Sequence, residues 1–375
     1  MQFSLYLSPQ TPGAAADGST LRDATEHAIR GDELGFAAVV LTEHHLVEYN
    51  TYGDPFVFGS WLAGQMSQAW VIHSVTVPAL HHPLRVAEKA NLLDALSQGR
   101  CIIGLGPGGI PIEFANFGAD PVEAVARYEE AVDLLPKFWA HTGEDAPLEY
   151  RSIDGGGRLE GRVVPSSFRK PHPHLARTAV SEASFIRTGQ LGIPVFSGRL
   201  ETDVLADRYR KYFEALHSSG HSQETIDHCE RWTGVNQMIM VTETDEEAQR
   251  AIIDPLDNYL ATTATFRPKD VPRAVDTDPR FAHLSQSERD AAERDVMLSR
   301  TVSAGTPDKV VEDLQVYRDM GVNHVMCWMQ FGFMAPDRVA RSLELFAAEV
   351  MPRLTDDADP SSVIGNARAE AADAA

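Results

Sequence analysis

Cysteine is scarce in this sequence, and no long apolar run occurs. The three cysteines, Cys101, Cys229 and Cys327, are widely spaced and odd in number, which argues against a disulfide framework and a CxxC metal site. No apolar stretch approaches the roughly 20 residues that a membrane helix needs. The N-terminus lacks the basic region and the cleavage site of a secretory signal. These absences predict a cytoplasmic protein with reduced thiols and no membrane association.

Basic residues are in deficit relative to acidic ones. The chain has 33 lysines and arginines against 54 aspartates and glutamates, for a formal net charge of −21. This charge repels nucleic-acid phosphates and acidic lipid headgroups, so we expect neither as a partner. A GxSxG nucleophile elbow and an HExxH zinc motif are both missing, so hydrolysis by an activated serine and zinc catalysis have no support.

Apolar runs of strand length alternate with segments of helical period along most of the chain. The predicted strands are Phe3–Leu7, Ala37–Leu41, Val71–Val77, Cys101–Leu105, Leu175–Val180, Pro194–Phe196, Asn236–Val241 and His324–Met329. The predicted helices are Leu21–Leu34, Pro55–Gln68, Leu84–Leu96, Pro121–His141, Ala183–Leu191, Thr202–Ser219, Asp245–Leu260, Pro307–Met320 and Pro336–Val350. Eight such βα units predict an α/β fold, a (β/α)8 TIM barrel, which typically takes about 250 residues and leaves room for insertions.

Two segments interrupt the alternation and predict insertions after strands 4 and 7. Residues 142–174 contain a Gly-Gly-Gly run and several prolines, and we interpret them as an excursion with one hairpin. Arg267–Asp295 is polar, carries three prolines and has no apolar periodicity, which favours a mobile lid. The length is compatible with one domain or two. We predict a single barrel domain over residues 1–354 and a disordered tail over 355–375.

Acidic and imidazole side chains follow the second and third predicted strands. Glu43-His44-His45 follows one strand, and His81-His82 follows the next. The carboxyl ends of barrel strands carry the catalytic groups, so we predict His44, with Glu43 beside it, as a proton-transfer group. Neighbours on an extended strand point to opposite sides, so only one of His44 and His45 should enter the barrel mouth. His81 and His82 are weaker candidates. Adjacent histidines lack the spacing of zinc ligands, and we predict no metal.

A glycine-rich loop follows the fourth predicted strand. Its sequence, Gly104 to Gly109, satisfies the spacing GxGxxG, but Pro111 follows where a dinucleotide fingerprint needs a helix to open. We therefore predict a loop in which Gly106 and Gly108 let a ligand approach the backbone.

Ser181-Glu182-Ala183-Ser184 lies between the fifth predicted strand and a helix. Hydroxyls and free backbone N–H groups at a helix N-terminus form an anion site. The same residues would also serve as an ordinary helix cap, with Glu182 placed favourably at the positive end of the helix dipole. The sequence leaves both interpretations open.

Several motifs recur in a characteristic order along the chain from Met1 to about Leu354. They are Glu43-His44-His45, His81–Glu88, Leu92–Arg100, Phe114–Gly118, Gly192-Ile193-Pro194, Ile226–Cys229 and Gly305-Thr306-Pro307. Together, in this order and spacing, they resemble the bacterial luciferase-like flavin-dependent monooxygenases.

The resemblance implies a (β/α)8 barrel that binds reduced FMN from a separate, transiently bound flavin reductase. Such an enzyme adds O2 to the reduced flavin to form a flavin hydroperoxide and oxygenates a small organic substrate. It also implies a dimer.

Site residues follow from the same resemblance. His44 matches the catalytic histidine of the family, and Glu43 matches the acid beside it. Ser74 and Val75 match the backbone that touches the flavin ring, at a position where the family can hold a non-prolyl cis peptide. The phosphate-binding stretch is matched by three residues, Ser181, Glu182 and Ser184.

One position departs from the family pattern. Where luciferase catalytic subunits place an arginine against the flavin phosphate, this sequence has Pro107. The phosphate would then rest on backbone amides and hydroxyls, or on another arginine such as Arg199 or Arg177. The loss of a charge-assisted partner keeps two alternatives open, a deazaflavin-dependent oxidoreductase and a non-catalytic partner subunit of a flavin monooxygenase.

Overall fold

The computed structural model describes residues 1–153, 155–198, 200–266, 274–277 and 279–355. These residues form two compact units. Unit 1 comprises the described residues of Met1–Phe36, Val47–Thr51 and Ala179–Asp356, and unit 2 comprises those of Ala37–Leu46 and Tyr52–Thr178. The tail predicted over 355–375 lies outside the described residues beyond Thr355, and the single-domain assignment stays a prediction.

All eight predicted strands are present, with ends that differ by at most two residues. The described strands are β1 (Gln2–Leu7), β2 (Ala38–Leu41), β3 (Trp70–Thr76), β4 (Cys101–Leu105), β5 (Leu148–Tyr150), β6 (Gly157–Leu159), β7 (His174–Thr178), β8 (Val195–Ser197), β9 (Gly234–Val241), β10 (Val302–Gly305) and β11 (His324–Trp328).

Each of the nine predicted helices corresponds to an observed one. The described helices are α1 (Asp17–Glu33), α2 (Pro55–Ala63), α3 (Pro83–Leu96), α4 (Pro111–Phe117), α5 (Ala124–Ala140), α6 (Glu182–Leu191), α7 (Thr202–Ser218), α8 (Gln223–Trp232), α9 (Asp245–Ala264), α10 (Ala274–Thr277), α11 (Gln286–Thr301), α12 (Pro307–Asp319), α13 (Pro336–Leu345) and α14 (Met351–Leu354). No helix in the described ranges is both long enough and apolar enough to span a bilayer.

Unit 1 is built on parallel strands. β9 pairs with β10, β8 and β11, and β11 pairs in turn with β1. Such strands are covered on both faces, which explains their nearly continuous apolar sequence. The strand β10 was not predicted, because its four residues, Val-Ser-Ala-Gly, are too few and too small to form an apolar run.

Unit 2 contains the parallel order β2-β3-β4-β7 and carries the first two predicted site segments. The four residues of β2 are all completely buried, so the chain can expose polar groups only after the strand ends. Between β4 and β7 the antiparallel pair β5–β6 confirms the hairpin predicted within residues 142–174.

Part of the predicted lid is helical. Within Arg267–Asp295, residues 267–273 and 278 lie outside the described residues, but α11 begins at Gln286. The prediction of a loop over 286–295 was therefore wrong. A capping box stabilises the start of α11. The Ser285 side chain bonds the backbone of Glu288, and the Glu288 side chain bonds the backbone of Ser285. Whether this segment acts as a lid stays a prediction.

Candidate active site

Glu43 lies at the centre of the candidate site, in unit 2. It comes two residues after the end of β2 and is only 2% exposed. Its Oε1 accepts hydrogen bonds from Nε2 of His45 at 2.8 Å and from Nε2 of His81 at 2.5 Å. Its Oε2 accepts the Val77 N–H at 2.8 Å. One buried carboxylate therefore joins the segments that follow β2 and β3.

The hydrogen bonds to Glu43 also set its charge. Burial alone would raise the pKa of Glu43, but the bonds from His45 and His81, the charge of His81 and the Val77 N–H together lower that pKa to about 2. Burial would lower the pKa of His45, whereas the bond to Glu43 and the charge of Glu43 outweigh it and raise that pKa. Glu43 is consequently an anion at neutral pH.

His44 contacts a different carboxylate. Its Nδ1 lies 3.2 Å from Oε1 of Glu113 in the first turn of α4, and its side chain is 24% exposed. The same Oε1 accepts the His45 N–H at 2.8 Å. The imidazoles of His44 and His45 thus approach separate acids, as expected for neighbours on an extended chain.

The contacts of Glu113 with His44 and of His81 with Glu43 were not predicted from the sequence. Glu113 is 1% exposed although it belongs to a short helix that was not predicted. The only available signal was an acidic residue soon after the glycine-rich loop. His81 was a weaker candidate but binds Glu43 directly. Its neighbour His82 instead caps α3, accepting the Leu84 N–H at 3.2 Å.

The chain leaves the regular strand at Ser74 and Val75. The peptide bond between these residues is cis, in agreement with the resemblance, and the β3–β4 register shifts between His73 and Thr76. Ser74 and Val75 are only partly buried, in contrast to the fully enclosed residues before them. They form a small backbone ledge near the carboxyl end of β3, beside β4 and the glycine-rich loop that follows it.

Glycine is required at 106 and 108 by close packing. A Cβ at Gly106 would lie 2.7 Å from both Val75 Cγ2 and Thr178 Oγ1. Gly108 has φ +76°, and a Cβ there would lie 2.7 Å from Val77 Cγ1. The loop after β4 therefore packs closely against the carboxyl end of β3 and the residue that follows it. A ligand contact with Gly106 or Gly108 stays a prediction.

Ser181, Glu182 and Ser184 lie in unit 1, at the N-terminus of α6. The Ser181 hydroxyl accepts the Ser184 N–H at 3.3 Å, which is the ordinary helix cap. The Glu182 carboxylate pairs with Arg208 at 2.6 Å and with Lys211 at 2.8 Å, both on α7. The capping interpretation is thus observed, and anion binding at this terminus stays a prediction.

Arg177 and Arg199 are the two arginines proposed to bind the flavin phosphate in place of the one missing at Pro107, and only Arg177 is described. Arg177 on β7 is fully buried, and its guanidinium donates to the Tyr128 hydroxyl and to the Glu129 carboxylate of α5. It is therefore committed to the packing of α5 against β7. Arg199 lies outside the described residues.

Three side chains of types that can bind a metal ion lie close together. One donor atom from each of Glu43, His45 and His81 lies within 4.8 Å of the other two. This set includes a third partner that the sequence did not reveal. The carboxylate–imidazole distances of 2.5 and 2.8 Å are those of hydrogen bonds, so the three groups satisfy one another without an ion.

Comparison with solved structures establishes the fold. The chain superimposes on monooxygenase RslO1 from Streptomyces bottropensis with a TM-score of 0.78 and 22% identity, covering 95% of this chain and 100% of that one. It also matches the FMN complex of the oxygenating constituent of 3,6-diketocamphane monooxygenase, a type II Baeyer–Villiger monooxygenase of Pseudomonas putida. The TM-score there is 0.75, at 18% identity over 95% of this chain and 99% of that one. The fold is the predicted (β/α)8 barrel.

Sequence comparison agrees with the structural one. Residues 1–324 match the profile of the luciferase-like monooxygenases. The alkanal monooxygenase alpha chain of Photorhabdus laumondii is 25% identical over 367 residues, which cover 95% of this chain and 98% of the relative.

Proposed function

The chain belongs to the luciferase-like monooxygenase family, and we propose that it oxygenates a small organic substrate with O2 and reduced FMN, the FMN being supplied by a separate reductase. One observation carries the proposal. The partly exposed His44 imidazole, held by a buried carboxylate, follows β2, while the Ser74–Val75 ledge lies near the carboxyl end of the neighbouring β3. We propose that the imidazole transfers a proton beside a flavin that rests on this ledge, because both lie at the carboxyl ends of paired strands.

The residues described fit a flavin. We propose that the Ser74–Val75 ledge and the glycine-rich loop at Gly106 hold the ring system, because their backbones are packed together at the carboxyl ends of β3 and β4. From the family resemblance we also propose that Ser181 and Ser184, at the N-terminus of α6 in unit 1, offer hydroxyls to a phosphate group. When bound, reduced FMN would supply the electrons that activate O2.

The side chains of the site then have distinct tasks. His44 moves a proton near the reacting atoms, for which an imidazole is suited at neutral pH. Glu43 keeps His45 and His81 in place through its hydrogen bonds and joins the two segments that carry them. We propose a small, largely apolar carbonyl or aromatic compound as substrate.

Reduced FMN and O2 are expected to give an oxygenated product. The purified chain would be titrated anaerobically with photoreduced FMN and then mixed with ¹⁸O2 and a panel of apolar aldehydes, ketones and aromatic compounds. Incorporation of one ¹⁸O atom per FMN oxidised, with little H2O2, would support the proposal.

Two other results would contradict it. Hydride transfer to or from a reduced deazaflavin without O2 consumption would favour the deazaflavin-dependent alternative. Failure to bind either cofactor would favour a non-catalytic partner subunit.

We also propose that the protein is a homodimer, which rests on the family resemblance. Helices α2 and α3 are adjacent, and each exposes two apolar side chains one turn apart, Val57 and Trp61 on α2 and Leu92 and Leu96 on α3. Exposed apolar side chains on neighbouring helices suit the self-complementary contact of a second copy.

Light scattering after gel filtration is expected to give twice the chain mass of 41.2 kDa. The double variant Trp61→Glu with Leu96→Glu should be monomeric, because its interface would bury four added carboxylates, two from each copy. Val316→Glu, an exposed apolar position on α12, is the matched control and should remain dimeric. A monomeric wild-type protein would refute the proposal.

A further inference from the structure

We propose that Glu113 is a positioning residue that fixes His44 as the Nδ1–H tautomer, so that Nε2 is its basic nitrogen. The catalytic consequence of this inference rests on the proposed function, whereas the tautomer itself does not. The choice matters because only one nitrogen of a neutral imidazole can accept a proton, and its position decides where a proton can be taken up.

The direction of the hydrogen bond follows from a second donor. Oε1 of Glu113 accepts the His45 backbone N–H at 2.8 Å, and a backbone N–H can only donate. This oxygen is therefore an acceptor, oriented by a group that cannot change role. The His44 Nδ1 lies 3.2 Å from the same oxygen, and a carboxylate has no hydrogen to donate, so Nδ1 carries the hydrogen. In the neutral ring the lone pair then resides on Nε2.

Burial gives this contact its strength. Glu113 is 1% exposed, so water does not compete for its oxygen, and a hydrogen bond gains electrostatic weight in such surroundings. A free neutral imidazole prefers the Nε2–H form, which would place its lone pair towards the buried acid. Glu113 opposes that preference and, through the His45 N–H, also holds the backbone beside His44.

The neighbouring acid has a separate task. Glu43 accepts hydrogen bonds from Nε2 of both His45 and His81. The site thus uses one buried carboxylate for His44 and another for the remaining two imidazoles. Hydrolases contain similar acid–histidine pairs, in which a buried acid selects the histidine tautomer and does not itself transfer the proton.

The tautomer can be measured without any cofactor. Flavin-free protein labelled with ¹⁵N-histidine would be studied by long-range ¹H–¹⁵N correlation, with the His44 signal identified among 14 histidines by its loss in His44→Ala. We expect a protonated Nδ1 and an unprotonated Nε2. Glu113→Gln should retain this pattern, since the His45 N–H keeps the amide oxygen in place. Glu113→Leu should move the ring to the Nε2–H form.

Enzyme activity provides a second test of the inference. Glu113→Leu is expected to lower kcat for coupled oxygenation about a hundredfold with little change in substrate KM, the loss typical of a misplaced general base. Glu113→Gln should lose at most about tenfold, because it keeps the tautomer. A purely structural role would instead change melting temperature while leaving the tautomer of the folded variant unaltered.

Two results would overturn the inference. One is an Nε2–H ring in the wild-type protein, and the other is unchanged kcat in a Glu113→Leu variant whose ring has switched. If the tautomers behave as expected while the wild-type protein oxygenates nothing, the assignment of Glu113 stands and the proposed function fails.

Discussion

Replacement of His44 by alanine is expected to lower coupled oxygenation by about 10²–10⁴-fold, the usual contribution of a positioned acid–base group. The side chain removed is the partly exposed imidazole that Glu113 holds after β2. Affinity for reduced FMN should change little, because the proposed flavin contacts are backbone atoms of the Ser74–Val75 ledge. Product formed per FMN oxidised, together with anaerobic flavin titration, measures both effects.

A surface histidine provides the matched control. His217 on α7 is exposed and pairs only with Glu230 among its described contacts, so His217→Ala should retain full activity. If His44→Ala kept normal coupling, His44 would not be the catalytic histidine. A parallel loss of flavin binding in His44→Ala would instead assign it to cofactor binding.

Replacement of Glu43 by glutamine is expected to cost about 3–5 kcal/mol of unfolding free energy, as for other buried charges removed from their partners. Glu43 receives three hydrogen bonds, two on one oxygen and one on the other. An amide has one acceptor oxygen, so its NH2 group must face either the Val77 N–H or two imidazole donors. Urea denaturation followed by circular dichroism measures the loss.

A surface acid serves as the control for this variant. Glu33 is exposed and pairs with Arg30, and Glu33→Gln should change stability by less than about 0.5 kcal/mol because exposed pairs contribute little. If Glu43→Gln were equally mild, the three hydrogen bonds would not stabilise the fold as described.

The same carboxylate predicts an acid dependence. The pKa of Glu43 is depressed from the ordinary 4.5 to about 2 in the folded chain, so its contribution is complete above the ordinary value and is lost as pH falls towards 2. A depression of this size corresponds to about 3 kcal/mol. The wild-type protein should therefore lose stability between pH 4.5 and 2, relative to Glu43→Gln at the same pH values. Parallel stability curves would contradict the assigned charge.

The strands could be predicted because their burial leaves a direct mark on the sequence. β2 and β4 are enclosed on both faces, so their residues are uniformly apolar and cannot be mistaken for surface segments. Helices with one buried stripe were also found. α8 and α11 escaped prediction because few of their residues are buried, and their starts are marked only by serine caps.

Local pattern also identified Glu43-His44-His45, because polar residues that end a buried strand must lie at the edge of the sheet. It could not assign their partners. Glu113 lies 69 residues from His44 and belongs to a helix too short to show a period. The loop after β4, which leads into that helix, packs against the carboxyl end of β3, where Gly106 meets Val75.

The residues at strand ends could thus be predicted from the chain, whereas the proton arrangement among them could not. Hydrogen-bond direction depends on which donors and acceptors meet within about 3 Å, and local sequence pattern does not contain that distance. The bond between Glu43 and His45 is local, but His81 reached Glu43, and Glu113 reached His44, only when segments distant in sequence were packed together.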